Sequence, residues 1–128
     1  MDDGLSRREF SGRGAALLAA GCMGGEIAAQ APEPLYGLIG EIRAPGKRQE
    51  LIGYLLEGSG EMPGNLAYIV AEDAAAADTV CVTEVWRSKA DHEASLTLPR
   101  VRAAIASARP IIAGFGQSVE TRPVGIPQ

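Results

Sequence analysis

Histidine and cysteine, two residue types that commonly bind metals in proteins, are scarce in this 128-residue sequence. His92 is the only histidine, and the two cysteines, Cys22 and Cys81, do not have the spacing of a metal site. One imidazole is too few for a zinc site of the usual composition. The sequence also lacks the Gly-x-Gly-x-x-Gly motif of dinucleotide-binding proteins. We therefore expect no metal, flavin or haem, and so no cofactor.

Positive charge and aromatic residues are also sparse. Lys and Arg number 12 against 16 Asp and Glu, which gives a formal net charge of -4. Nucleic-acid-binding proteins need a basic stripe, and the longest basic cluster here is the pair Lys47–Arg48. The composition therefore argues against nucleic acid as a partner. Aromatic residues make up 5% of the chain and hydrophobic residues 46%, so the core of a single domain must be mainly aliphatic.

No apolar run in the sequence is long enough to span a bilayer, which requires about 20 residues. The Ala-, Gly- and Leu-rich run at 14–25 is shorter and follows Arg7 and Arg8 in a Ser-Arg-Arg-x-Phe context. This order of charge, apolar run and small residues resembles a twin-arginine export signal. We therefore expect a signal peptide at 1–31, a mature domain at 32–128, and export to the periplasm or beyond. The alternative is an N-terminal tail in which the arginine pair occurs by chance.

The end of this segment permits more than one form of processing. Ala29 and Ala31 frame a small-x-small cleavage site, so the predicted cut follows one of them. The stretch 18–22, Leu-Ala-Ala-Gly-Cys, also resembles a lipobox. In that alternative Cys22 would carry a lipid anchor.

The rest of the sequence alternates between strand and helix patterns. Residues 79–86 are rich in β-branched side chains, as in strands, whereas Leu51 and Leu55 lie on one helical stripe. Ser88 with Asp91 three positions on forms a capping box at a helix start. Such patterns predict strands at 36–43, 65–72, 79–86 and 114–122 and helices at 47–57, 89–96 and 100–108.

This β-α-β-β-α-β order predicts an α+β, ferredoxin-like fold with a four-stranded antiparallel sheet and its helices on one face. The helix-free face of the sheet carries apolar residues and would be exposed in a monomer. An exposed apolar face of this kind is a binding surface or a dimer interface. We therefore expect a homodimer.

Two stretches, residues 61–68 with Pro-Gly and a tyrosine and residues 82–96 with Glu84, Trp86 and His92, resemble the antibiotic biosynthesis monooxygenase (quinol monooxygenase) family. Residues 61–68, Glu-Met-Pro-Gly-Asn-Leu-Ala-Tyr, are similar to its turn and second strand, and residues 82–96 to its Glu-x-Trp strand end and histidine-bearing helix. With the order of elements, the resemblance covers 35–123. It implies a dimeric α+β barrel with a pocket between sheet and helices. It also implies cofactor-free oxygenation of a small phenolic or quinol-type aromatic, with molecular oxygen as the second substrate.

The resemblance and the residue chemistry together nominate Glu84 and His92 as catalytic proton acceptors. Glu84 shares a strand face with Trp86, and a carboxylate beside an apolar indole can act as a base. The plainer alternative is a salt bridge from Glu84 to Arg109 or Arg122. Histidine exchanges protons near neutral pH, but a solvated position on the helix is the alternative for His92.

Four further residues are predicted to bind substrate. Trp86 would stack on an aromatic ring or simply fill the core, and Tyr68 would donate its hydroxyl into the pocket or pack on the sheet. Ser95 and Arg100 occupy positions where the family often carries further histidines, and Arg100 would hold an anionic group. Because those histidines are missing, a non-catalytic dimeric module that binds a small ligand or scaffolds a partner remains the alternative function.

Overall fold

The computed structural model of the protein describes residues 33–127. The expected export signal with Arg7 and Arg8, its cleavage sites and Cys22 lie outside these residues. Within them, no helix is long and apolar enough to cross a membrane. The elements in chain order are β1 (Tyr36–Arg43), α1 (Arg48–Gly58), β2 (Asn65–Glu72), β3 (Thr79–Trp86), α2 (Lys89–Ser95), α3 (Pro99–Ala108), a short 3-10 helix (Arg109–Ile111) and β4 (Gly114–Thr121).

The four strands form one sheet in the order β2-β3-β1-β4. Every neighbouring pair is antiparallel, and β1 pairs with β3 from Tyr36 opposite Trp86 to Arg43 opposite Thr79. The predicted α+β, ferredoxin-like architecture is therefore confirmed. The helix and strand limits differ from the predicted ones by one residue at most. The third predicted helix, for example, begins one residue earlier, at Pro99, which is suited to the first turn of a helix.

The core lies between the sheet and the helices and is aliphatic. Val80 and Val82 of β3 pack with Leu51 of α1 and with Ala44 and Ala108, and all five side chains are buried. Small residues dominate because aromatic residues are few. They leave unfilled space between the sheet and α3.

The opposite face of the sheet has no helices. Ile39, Ile69 and Val119 lie in one row across the strands, joined through Thr83. These three apolar side chains are 44%, 55% and 50% exposed. A single chain therefore presents an apolar row to solvent on this face.

Candidate functional site

A cavity of about 780 Å³ lies between the helix-bearing face of the sheet and the helices. Its floor includes Leu38, Gly40 and Ile42, the successive inward positions of β1. Across from them, Ala104 and Ala108 of α3 line the cavity with side chains of one carbon. The space exists because Gly40 and these two alanines leave the layer between the sheet and α3 unfilled.

Glu84 and Trp86 lie side by side near one end of the cavity, on the helix-bearing face of β3. The Trp86 indole Nε1 donates a hydrogen bond of 2.9 Å to Glu84 Oε1, and Trp86 itself is only 1% exposed. Among the residues that the structure describes, Glu84 forms no salt bridge with Arg109 or Arg122. The carboxylate is instead held by the indole and faces the cavity.

His92 completes this end of the cavity because the cap of α2 fixes its position. Ser88 Oγ accepts a 3.1 Å hydrogen bond from the Asp91 amide and starts the helix, as the capping box predicts. His92 Nε2 lies 3.9 Å from Glu84 Oε1, and the imidazole meets the Trp86 ring edge-on with centroids 5.5 Å apart. The side chain is 16% exposed, so it is not a solvated residue of the helix surface.

The two imidazole nitrogens of His92 have different surroundings. Nδ1 is buried and has no hydrogen-bond partner within residues 33–127. A proton there would be an unpaired buried donor, which is costly, so a neutral His92 carries its proton on Nε2. The 3.9 Å between Nε2 and Glu84 Oε1 is too long for a direct hydrogen bond. A hydroxyl group of a ligand in the cavity could hydrogen-bond to both the imidazole and the carboxylate.

Tyr68 stands opposite Glu84 on the neighbouring strand β2 and lines the same cavity. Burial, and then the nearby charge of Glu84, raise the pKa of Tyr68 to about 12. The phenol therefore stays protonated at neutral pH. No hydroxyl partner is found for it in the described part of the chain, so the proton is available to a ligand.

Ser95 and Arg100 occupy different environments. Ser95 lines the cavity and is 4% exposed, but its hydroxyl donates a 2.6 Å hydrogen bond to the His92 carbonyl within α2. Arg100 is exposed and is absent from the cavity lining; its guanidinium lies against Gly60 in the loop after α1. Of the predicted site residues, Glu84, Trp86, His92, Tyr68 and Ser95 are thus brought together, and Arg100 is not.

Tyr36, which the sequence did not indicate as a site residue, packs against the His92 imidazole. The Tyr36 ring lies 5.3 Å from the imidazole, centroid to centroid. The Tyr36 hydroxyl donates a 2.7 Å hydrogen bond to Glu120 Oε2, and the Lys89 ammonium lies 3.4 Å from the same oxygen. Burial, and then the hydrogen bond and charge of Glu120, raise the pKa of Tyr36 to about 12. Strand alternation placed Tyr36 on this face, but only the β1–β4 register brings Glu120 to it.

One group of possible metal ligands occurs within the described residues. Ligand atoms of Glu41, Asp73 and Cys81 lie within 4.8 Å of one another. The carboxylates already serve the backbone: Asp73 Oδ1 accepts the amides of the following loop at 2.8 and 3.0 Å, and Glu41 Oε1 accepts the Gln117 amide at 3.1 Å. We therefore assign no cofactor to this group.

Comparisons with known proteins agree with the geometry. Residues 38–107 match the profile of the family described as antibiotic biosynthesis monooxygenase. A crystal structure from Chloroflexus aurantiacus, whose name assigns it to the same family, is 50% identical, with a TM-score of 0.72 over 73% of this chain and 97% of that chain.

More distant structures share the fold. A protein of the same designation from Nitrosomonas europaea is 12% identical, with a TM-score of 0.66 over 72% of this chain and 92% of that chain. One from Caulobacter crescentus is 18% identical, with a TM-score of 0.62 over 80% of this chain and 99% of that chain. No match was found among curated proteins.

Proposed function

Because the chain belongs to the antibiotic biosynthesis monooxygenase family, we propose that it is a cofactor-independent monooxygenase of a phenolic or quinol-type aromatic. The observation that carries this proposal is the cluster of Glu84, His92 and Tyr68 at one end of an otherwise apolar cavity. Proton acceptors and donors converge there on space that an aromatic ring can fill.

Glu84 is the proton acceptor in this mechanism. The Trp86 N–H bonded to Oε1 fixes the orientation of the carboxylate. Oε2 has no hydrogen-bond partner in the described region and accepts the proton of the substrate hydroxyl. Loss of this proton leaves an anion that is electron-rich enough to pass an electron to oxygen.

Tyr68 and His92 stabilise the negative charge that develops on the substrate oxygen. The Tyr68 phenol keeps its proton because its pKa is about 12, and the Nε2–H of His92 supplies a second donor. Preorganised donors of this kind stabilise an oxyanion more strongly in a dry site than in water.

The overall reaction needs no external reductant. In an anthrone, whose enol tautomer carries the hydroxyl, the ring CH₂ loses its two hydrogens and gains one atom of O₂ as a carbonyl oxygen. In a hydroquinone, one atom of O₂ enters a ring C–H bond as a hydroxyl, and the two phenolic hydroxyls lose their hydrogens to give a quinone. The second oxygen atom leaves with those hydrogens as water, so the substrate itself is the reductant.

The test is oxygen uptake by the purified protein with a panel of hydroquinones and anthrones. Glu84→Gln should lower kcat by roughly 10²–10⁴-fold, the usual contribution of a general base. Glu93→Gln is the matched control, because Glu93 is exposed on α2 and is absent from the cavity lining. No uptake with any substrate, or equal rates for Glu84→Gln and wild type, would refute the proposal.

A non-catalytic ligand-binding module is the second candidate, and the Ser95 hydroxyl favours it. This position often holds a histidine in relatives of the family, yet here the hydroxyl is engaged by the His92 carbonyl. Such a module would bind hydroquinones or anthrones saturably and consume no oxygen. Calorimetry on the same panel therefore separates the two functions.

The proposal includes a homodimer that covers the helix-free face. The exposed row of Ile39, Ile69 and Val119 supports this, because burial of apolar area drives association. Light scattering at micromolar concentration should give twice the chain mass, and Ile39→Lys should shift the protein toward monomer. A monomer mass for the wild type would contradict the dimer.

A further inference from the structure

The cavity is elongated along the strands. Leu38 and Ile42 both line it, and a strand that rises about 3.3 Å per residue separates them by roughly 13 Å. Leu38 pairs with Glu84, so the catalytic cluster marks one end. Ile42 pairs with Phe115, which is 71% exposed and lines the other, open end.

Arg109 is the single Lys or Arg among the residues that line the cavity. It follows α3 directly and is exposed, so it stands where the cavity meets solvent. Ala108 and Ile112, its neighbours in the lining, place it toward the Ile42 end. No acidic side chain pairs with Arg109 in residues 33–127. Within those residues, the Arg109 guanidinium is therefore free to bind an anionic group of a ligand.

Glu41 is the acidic residue at this end, and it lines the cavity as well. Its carboxylate, however, lies against the backbone of β4 at Gly116. The Glu41 carboxylate also accepts the Gln117 amide. Arg109 thus supplies the positive charge at the open end, where the Glu41 carboxylate is held by the backbone of β4.

We propose that the cavity takes an elongated aromatic ligand that bears an anionic group, a carboxylate or sulfonate, bound by Arg109. The ring with the reactive hydroxyl lies at Glu84, and the anion lies roughly 13 Å away, as the strand spacing requires. Guanidinium is well suited to planar oxyanions because it can donate two parallel hydrogen bonds. This inference deepens the proposed function and rests on the same cavity.

Two fluorescent probes provide a matched test: 1-anilinonaphthalene-8-sulfonate and N-phenyl-1-naphthylamine, which share one ring system and differ by the sulfonate. Their Kd values are measured by titration of the full chain. Arg109→Gln should weaken binding of the sulfonate about 5–20-fold. This is the contribution of one charge-assisted hydrogen bond, reduced because the guanidinium is exposed to solvent. Binding of the neutral probe should change less than about twofold.

Arg102→Gln is the control for charge alone, because Arg102 is exposed on α3 and does not line the cavity. It should leave both Kd values unchanged. Gly40→Val tests the location, since a valine there fills the cavity and should weaken both probes. The inference would be overturned if Arg109→Gln affected both probes equally or affected neither. It would also be overturned if Arg102→Gln weakened sulfonate binding as much as Arg109→Gln, or if Gly40→Val left both Kd values unchanged.

These titrations involve no turnover, so they separate the inference from the proposed function. If the protein consumed no oxygen but bound the sulfonate in an Arg109-dependent way, the monooxygenase proposal would be refuted and the anion site would stand. Oxygen uptake with sulfonate binding that ignores Arg109 would do the reverse.

Discussion

Gly40→Val should make the protein more stable and less functional at the same time. Gly40 lies in the middle of β1 between Val82 and Ser118 on the neighbouring strands, and it lines the cavity. A Cβ at this position meets no atom within 4 Å. The Cβ of a valine therefore enters empty space, and its methyl groups extend into the cavity.

The magnitude follows from burial and backbone entropy. Full burial of a valine side chain stabilises by about 1.5–3 kcal/mol, and roughly half of this applies in a cavity that opens to solvent. Replacing glycine within a strand adds about 0.5–1 kcal/mol. The free energy of unfolding should thus rise by about 1.3–2.5 kcal/mol. The same methyl groups occupy substrate space beside Glu84, so kcat/KM should fall at least about tenfold, or about 1.4 kcal/mol.

Urea denaturation followed by tryptophan fluorescence measures the first effect, because Trp86 is the only tryptophan and is buried. Oxygen uptake measures the second. Gly53→Ala is the matched control: Gly53 is exposed in α1, and a Cβ there also meets no atom within 4 Å. It should stabilise by up to about 1 kcal/mol with full activity. A destabilised Gly40→Val protein, or one with unchanged kcat/KM, would refute the reasoning.

Three further predictions concern separate parts of the protein. Trp86→Ala should lower the free energy of unfolding by about 3–5 kcal/mol. Trp86→Phe should keep most of the packing but lower kcat, because it removes the N–H that is donated to Glu84. An unchanged kcat in Trp86→Phe would contradict the role of this hydrogen bond. Because the pKa of Tyr68 is raised from 10.0 to about 12 on folding, its contribution to stability is complete below pH 10 and is lost between pH 10 and 12. Tyr68→Phe should therefore flatten the fall in unfolding free energy over that pH range, as measured by urea denaturation. Replacing Arg7 and Arg8 by lysine should leave the protein in the cytoplasm, and an unchanged yield outside it would contradict the predicted export signal.

Local rules were sufficient to predict the fold. The β-branched run of β3 requires an extended strand, and the Ser88 cap starts α2 at a defined residue. Alternation along β3 then places Glu84 and Trp86 on one face, and the cap places His92 one helical turn beyond. These three residues are close in sequence, so short-range geometry determines how they meet.

Long-range pairing determines the parts that the sequence did not predict. Glu120 reaches Tyr36 because β4 pairs with β1 after a register shift between Gly40 and Ile42. No local pattern specifies that shift. The size of the cavity also depends on which small residues of α3 face the sheet, and the sequence does not specify that packing in advance.

Correspondence with the positions of the family's site residues did not by itself place a side chain in the cavity. Arg100 was predicted to bind substrate because the family often has a histidine there. In this chain α3 begins at Pro99, and the long arginine side chain turns to Gly60 outside the cavity. Arg109, one helix length later, instead lines the cavity.

The unpaired Nδ1 of His92 provides a last prediction that separates a catalytic imidazole from a structural one. A buried polar atom without a partner costs about 1–3 kcal/mol, whereas the ring contacts with Tyr36 and Trp86 need only an aromatic ring. His92→Phe should therefore keep or raise the free energy of unfolding in urea by up to about 1 kcal/mol, and it should lower kcat because the Nε2–H donor is lost. Stability and turnover both unchanged would assign the imidazole a packing role alone. A large loss of stability would show that Nδ1 has a partner in the folded protein and would refute the argument at its premise.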